Sequence, residues 1–304
     1  MENVNKKKRR AMNIRGINFM LPSFIGMFIF SILPLFISIL ISLTEWNGLE
    51  KLDAGTIRSK YVGLANYINI LSGGEFWRVL SHTLYYIVLY IPLVLVASLG
   101  VGLLLNKQKK GVGIFRVIYY IPVLTSWVAA SLIWKWVFSP QYGIINQILA
   151  LAGIPEPNWL TSEAWAMPAV VIASVWKDMG FFGLFLLSGL SGIDKSLYEA
   201  GKVDGAGKIY TFFTITLPLL TPSIFFCLVM ALIFSFQLFP QIMIMTEGGP
   251  NGATEVMVER IYNYGFRYFK MGYAAAFSWL LFIIIFILTS LQMKLQKGWV
   301  HYES

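Results

Sequence analysis

The chain has 304 residues, of which 57% are hydrophobic and 13% charged, whereas a soluble domain keeps about a quarter of its residues charged. Lys and Arg outnumber Asp and Glu by 24 to 15, and the one cysteine is Cys227. An ordinary soluble domain, a disulfide framework and a thiolate metal cluster are thereby excluded, and the chain reads as an integral membrane protein.

A spanning helix needs roughly 20 apolar residues. Six stretches qualify, at about 19–43, 81–105, 114–138, 165–188, 218–245 and 273–293. The first follows the basic run from Lys6 to Arg10. It is longer than the apolar core of a signal peptide and lacks a small-residue cleavage site, so it is expected to remain as a span. The strand-length alternation of an outer-membrane barrel does not occur, and the expected architecture is all-α. A basic segment, 1–18, precedes the spans and residues 294–304 follow them.

Basic residues set the orientation, because short loops rich in Lys and Arg stay in the cytoplasm. Fifteen fall on one side. They are Lys6, Lys7, Lys8, Arg9, Arg10 and Arg15 before span one, Lys107, Lys109, Lys110 and Arg116 between spans two and three, Lys195, Lys202 and Lys208 between four and five, and Lys294 and Lys297 after six. Seven fall on the other side. Both termini and residues 191–217 are therefore expected in the cytoplasm, with the chain in a plasma or inner membrane. The positive charge follows this bias and the anionic lipid headgroups, so no nucleic-acid partner is implied.

Inside the spans, rings and charges stand out. Trp46, Trp77, Trp159 and Trp299 fit interfacial aromatic belts, as do Trp134 and Trp136 near the outer end of span three, whereas Trp127 and Trp176 lie deeper. Aromatic faces among polar groups suit a sugar. Lys177 and Asp178 sit in the middle of span four, where charge is expensive. As helix neighbours they point about 100° apart and cannot neutralise each other face to face. Asp178 then either faces a water-filled interior or bonds to a neighbouring span. Pro92, Pro122, Pro168, Pro222 and Pro240 allow kinks. His82 and His301 have no ligand-type partner, and no Walker, zincin or nucleophile-elbow motif occurs, so neither a metal site nor a catalytic residue is expected.

Residues 191–217 use about 27 positions where a short turn would connect two spans. Asp194 is placed to cap a helix. Leu197, Tyr198, Ala200, Gly201 and Val203 give that helix a small apolar face, and Gly205 and Gly207 end it. Such a helix either enters a groove on a partner or rests on headgroups.

Glu199, Ala200 and Gly201, three residues, Gly205, nine residues, and then Ile215, Thr216, Leu217 and Pro218 resemble the EAA loop of binding-protein-dependent ABC transporter permeases. Gly201 stands where that loop usually has alanine. The block TEGGPNGAT at 246–254 is similar to one in the larger permease of maltose-type sugar importers. The resemblance implies a six-transmembrane-helix, type I ABC importer permease fold with a cytoplasmic coupling helix. It implies as partners a second homologous permease, a cytosolic ABC ATPase dimer, an extracytoplasmic solute-binding protein and a sugar. ATP and magnesium would belong to the ATPase, and this chain would bind no cofactor.

By the same resemblance, Tyr198, Glu199, Ala200, Gly201, Asp204, Gly205 and Pro218 would couple to the ATPase. The sugar path would fall at Val123 and Trp127, at Trp176, Asp178, Met179, Gly180 and Gly183, and at Ala231, Ser235 and Leu238, with Gln237 beside them. Gly248, Gly249 and Pro250 would belong to the loop that meets the binding protein. A polyol or glycerol phosphate derivative is the neighbouring choice of substrate. A secondary carrier fits less well, because six spans without an internal repeat are few for one.

Overall fold

The computed structural model describes residue 17 and residues 20–107 and 111–300. The basic N-terminal cluster, Lys109, Lys110 and His301 lie outside the described residues. In chain order the helices are α1 (Met20–Ser42), α2 (Ala54–Ser59), α3 (Ala65–Ser72), α4 (Gly74–Leu105), α5 (Val112–Leu124), α6 (Trp127–Val137), α7 (Ile144–Leu151), α8 (Glu163–Gly192), α9 (Lys195–Val203), α10 (Lys208–Phe236), α11 (Pro240–Met245), α12 (Met257–Tyr262) and α13 (Met271–Leu295). Among the described residues the extended pairing is confined to an isolated bridge between Thr44 and Tyr61.

Helices α1, α4, α8, α10 and α13 are each long and apolar enough to cross a bilayer. Helices α5 and α6 reach that length only together, and they meet at 100°. The sequence reading of 114–138 as one helix is corrected here. Thr125 Oγ1 donates to the carbonyl of Pro122 at 2.6 Å, closing the end of α5. Ser126 then adopts an extended conformation, and its hydroxyl accepts from the Ala129 amide at 3.2 Å to start α6. The expected stretch 218–245 is likewise two helices. α10 ends at Phe236, and Pro240 opens α11 at the helical position where its missing N–H is not needed.

The chain forms two compact units, residues up to 72 with 262–280, and 73–261 with 281 onward. In the first, polar contacts fasten the C-terminal end of α1. Asn66 donates to the carbonyls of Ser42 and Thr44 at 2.9 and 2.8 Å, and the Gly272 amide donates to the Trp46 carbonyl at 2.9 Å. Ser42 is the one buried residue among the described positions of α1, whose apolar side chains otherwise face outward, as a lipid-facing helix requires.

The second unit is organised around α8, which packs along α4 and also touches α5 and α10. Hydrocarbon supplies no hydrophobic drive between helices, so close approach rests on small residues. A Cβ added at Gly180 would run into the Tyr119 carbonyl, and one at Gly189 would strike Ser223. At Gly183 it would lie 3.0 Å from Val101 Cγ1, and at Gly102 it would lie 3.3 Å from the Gly183 carbonyl. Large side chains fill the remaining gaps, with Tyr90, Phe182 and Leu186 all fully buried.

These contacts rank two substitutions. Gly180→Ala meets backbone, which cannot rotate away, and is expected to cost about 1–3 kcal/mol of overpacking. Gly183→Ala meets a valine side chain and should cost less. Thermal unfolding of the purified protein in detergent checks the order, and equal midpoints for the two variants would contradict it.

Candidate functional site

The break between α5 and α6 takes the regular helical donors from two carbonyls at the end of α5, and α8 supplies a donor to both. Lys177 Nζ donates to the Pro122 and Val123 carbonyls at 3.1 and 3.3 Å. The same ammonium lies 4.9 Å from the centre of the Trp127 ring, a cation–π contact. Asp178 leaves α8 on a different face. Its Oδ2 accepts from the Tyr90 hydroxyl of α4 at 2.7 Å, and Tyr90 stacks on Tyr86 with 5.2 Å between ring centres. The two adjacent charges thus serve different neighbours, as their helical spacing requires. Among the described residues, Asp178 Oδ1 makes no hydrogen bond, so one acceptor remains uncommitted.

Around this cluster the structure gathers some of the sequence-chosen residues and separates others. Val123, Trp127 and Gly180 come together on the Lys177 side of α8, while Asp178 faces Tyr90 of α4. Trp176 packs edge-on against Trp134 at 5.7 Å. Met179 turns instead to the apolar cluster of Val101, Leu105 and Leu187, and Gly183 serves the α4–α8 approach. Ala231, Ser235 and Leu238 are buried, Gln237 is exposed, and Ser235 donates back to the Ala231 carbonyl at 2.6 Å. The belt assignment of Trp159 is corrected. It is 7% exposed, lies 5.1 Å from Phe138, and donates to Asn146 Oδ1 at 2.7 Å. Tyr90 escaped the sequence reading because α4 carries three tyrosines and nothing in its spacing singles one out.

At the 191–217 loop, Asp194 Oδ1 accepts from the Ser196 amide at 2.9 Å, which holds its carboxyl below the usual carboxylate range. Gly205 follows α9 at φ +76°, a left-handed turn that glycine adopts freely. The expected single small face is divided. Tyr198 meets the Thr216 hydroxyl at 3.2 Å, and Gly201 lies against Ile215. Glu199, Ala200, Asp204 and Val203 are exposed, Val203 to 87%. Pro218 is half-buried at the start of the long run of α10 and lends its carbonyl to Thr221 at 2.6 Å.

The 246–257 loop is fastened by charge. Gly248 turns at φ +84°, and Thr254 Oγ1 donates to the Gly249 carbonyl at 2.7 Å, beside Pro250. Glu255 pairs with Arg78 at 2.6 Å and with Arg260 at 3.6 Å. Arg260 also pairs with Glu75, and Asn251 donates to Glu163 at 2.6 Å. Burial works against the Arg260 charge, but Glu255 and Glu75 more than offset it and hold its pKa above the ordinary value. The 185-residue separation of Glu75 and Arg260 hid this pair from the sequence.

Comparison with known proteins agrees on one family. The family described as binding-protein-dependent transport system inner membrane component matches residues 62–300. The chain is 36% identical to the probable ABC transporter permease protein YesP of Bacillus subtilis (strain 168), covering 98% of this chain and 96% of that one. It is 34% identical to the trehalose/maltose transport system permease protein MalF of Thermococcus litoralis, covering 96% and 97%. It is 33% identical to the sn-glycerol-3-phosphate transport system permease protein UgpA of Yersinia pestis, covering 85% and 88%. The fold matches a chain of a bacterial ABC transporter involved in import of the acidic polysaccharide alginate, with TM-score 0.81, 21% identity, and coverage of 97% and 98%.

Arg260→Ala strips Glu75 and Glu255 of a shared cation and is expected to cost about 1.5–3 kcal/mol, as loss of a charged hydrogen bond does. Hydrogen exchange should quicken at 246–257 and at the start of α4, and stay unchanged at 195–203.

Proposed function

The chain belongs to the family of binding-protein-dependent transport system inner membrane components, and from that premise we propose that it is the permease subunit of an ATP-driven importer of neutral saccharides. As a member of this family it is a transport component rather than an enzyme. The observation that carries the substrate class is the cluster on α8. Asp178 keeps one carboxylate oxygen that can accept a sugar hydroxyl, and Trp127, half-buried where Lys177 meets α6, offers a ring to a sugar C–H face.

The relatives' names leave two classes open, a saccharide and a glycerol phosphate. A phosphate calls for a free cation. Lys177 is committed to two carbonyls and a ring face, which favours the uncharged sugar.

In this reading, a second permease completes the pathway, a solute-binding protein meets the 246–257 loop, and α9 docks on a cytosolic ATPase that holds ATP and magnesium. The termini and α9 lie in the cytoplasm. Glu199 and Val203, both exposed, supply a charge and an apolar contact for docking. Closure of the ATPase would draw α9 along. Only Ile193 and Asp194 separate α9 from α8, and Tyr198 and Gly201 rest on the start of α10, so both helices would follow.

Reconstitution of the complete transporter in liposomes tests the reading. ATP-dependent uptake of a neutral oligosaccharide is expected, with sn-glycerol 3-phosphate excluded. Uptake of the phosphate instead, or uptake under an ion gradient without ATP, would overturn it. Glu199→Lys should abolish uptake while the two permeases still assemble. Gly201→Ala should be tolerated, because its Cβ would lie 3.4 Å from Ile215 Cδ1, an ordinary contact, and alanine adds about 0.5–1 kcal/mol of helix stability over glycine. Uptake by that variant within twofold of the native rate is the expected result.

A further inference from the structure

A lysine that is 5% exposed in the middle of a span needs a reason to be there, since methionine would fill the same space without a charge. The reason lies in the turn from α5 to α6. In a continuous helix the carbonyls of Pro122 and Val123 would accept from the amides of Ser126 and Trp127. The 100° bend removes both partners. Thr125 reaches one of these carbonyls, through its amide at 3.3 Å and its hydroxyl at 2.6 Å to Pro122. The Val123 carbonyl has Lys177 alone among the described residues. Each unmet carbonyl would cost several kcal/mol in hydrocarbon.

We propose that Lys177 is the positioning residue that holds span three bent: its ammonium, on the neighbouring helix α8, gives the Val123 carbonyl its donor, joins Thr125 at the Pro122 carbonyl, and seats the Trp127 ring at the start of α6. A cation suits this place twice over. It sits at the carbonyl end of α5, where the helix dipole is negative, and over the negative face of an indole. One nitrogen with three N–H groups can serve two carbonyls at once. Gly180, one turn along α8, lets the backbone of α5 come close enough to be reached. Asp178 does not draw the lysine away, because it bonds to Tyr90. That the bend shapes a sugar path rests on the transport reading above, while the bend itself does not.

The test needs no substrate, so its failure and that of the saccharide reading are distinguishable. Spin labels at Ile114 and Ile133, both exposed, flank the bend in a Cys227→Ala background of the assembled transporter. A continuous helix would put their backbones about 28 Å apart, and the 100° bend puts them at roughly 19 Å by the same rise per residue. Pulsed EPR of the native residue should give one narrow, short distance. Lys177→Met should broaden and lengthen it, and Lys177→Arg should stay close to native. A control pair at Leu84 and Leu104 on α4, about 30 Å apart, should not change, which separates loss of the strut from general loosening. If Lys177→Met does not assemble, Lys177→Gln is measured, with a smaller shift in the same direction expected. An unchanged short distance in the uncharged variant, an equal change in the control pair, or equal broadening by Lys177→Arg would each overturn the proposal.

Discussion

Hydrocarbon offers no hydrogen bonds, and most of the second unit's design follows from that constraint. A helix may break inside a bilayer only if a neighbour supplies what the break leaves unmet. Here α8 supplies an ammonium, and the ammonium in turn needs an environment. Two carbonyls, an indole face and the C-terminal end of α5 provide it. A lysine can deliver its charge there only if α5 and α8 lie close together. That proximity explains why residue 180 has no side chain. The same reasoning extends to α4, where Gly102 and Gly183 allow the approach that brings Tyr90 within 2.7 Å of Asp178. Charge, bend and glycine are parts of one arrangement.

The sequence disclosed most of what composition and local spacing govern. Hydropathy found the long apolar helices because each must be apolar over bilayer thickness, but it ran α5 into α6 and α10 into α11. Asp194, Gly205 and the small residues between them announced a short capped helix, since caps and left-handed turns are local chemistry. The divergence of Lys177 and Asp178 also followed from spacing alone. What stayed hidden was non-local. Thr125 and Ser126 are ordinary membrane-helix residues until one hydroxyl bonds back to Pro122 and the other begins a new helix. Trp159 looks interfacial by position, and only its meeting with Asn146 and Phe138 makes it a buried anchor. Tyr90 and the Glu75–Arg260 pair depend on residues far along the chain, which no window on the sequence joins.

The two ends of the second unit are built on opposite principles. At 246–257 the loop is tied to the start of α4 by Arg78, Arg260 and Glu75, and to the start of α8 by Asn251 and Glu163. Partly buried ion pairs with several partners resist opening, because removing one partner leaves another charge exposed to a poor solvent. At 195–203 no ion pair is formed among the described residues. Val203 and Ile209 are 87% and 77% exposed, and α9 keeps to the body through Tyr198 and Gly201.

In the proposed reading, where α9 takes work from an ATPase, this asymmetry has a mechanical meaning. A push applied to α9 meets little local resistance from side chains, yet it cannot dissipate in a slack linker, because two residues join α9 to α8. The displacement would pass into the longest contact of the unit, between α8 and α4, where glycines set against backbone and valine leave little room to slide. Packed helices of this kind move as rigid bodies rather than deform. An angular change can be absorbed where the backbone ladder is already interrupted, and next to α8 such a place lies between Leu124 and Trp127. Lys177 belongs to α8 and holds that interruption from outside span three. A rotation of α8 would therefore change the reach of the ammonium to Pro122 and Val123. The lysine that satisfies the broken span also links the angle of that span to the movement of its neighbour.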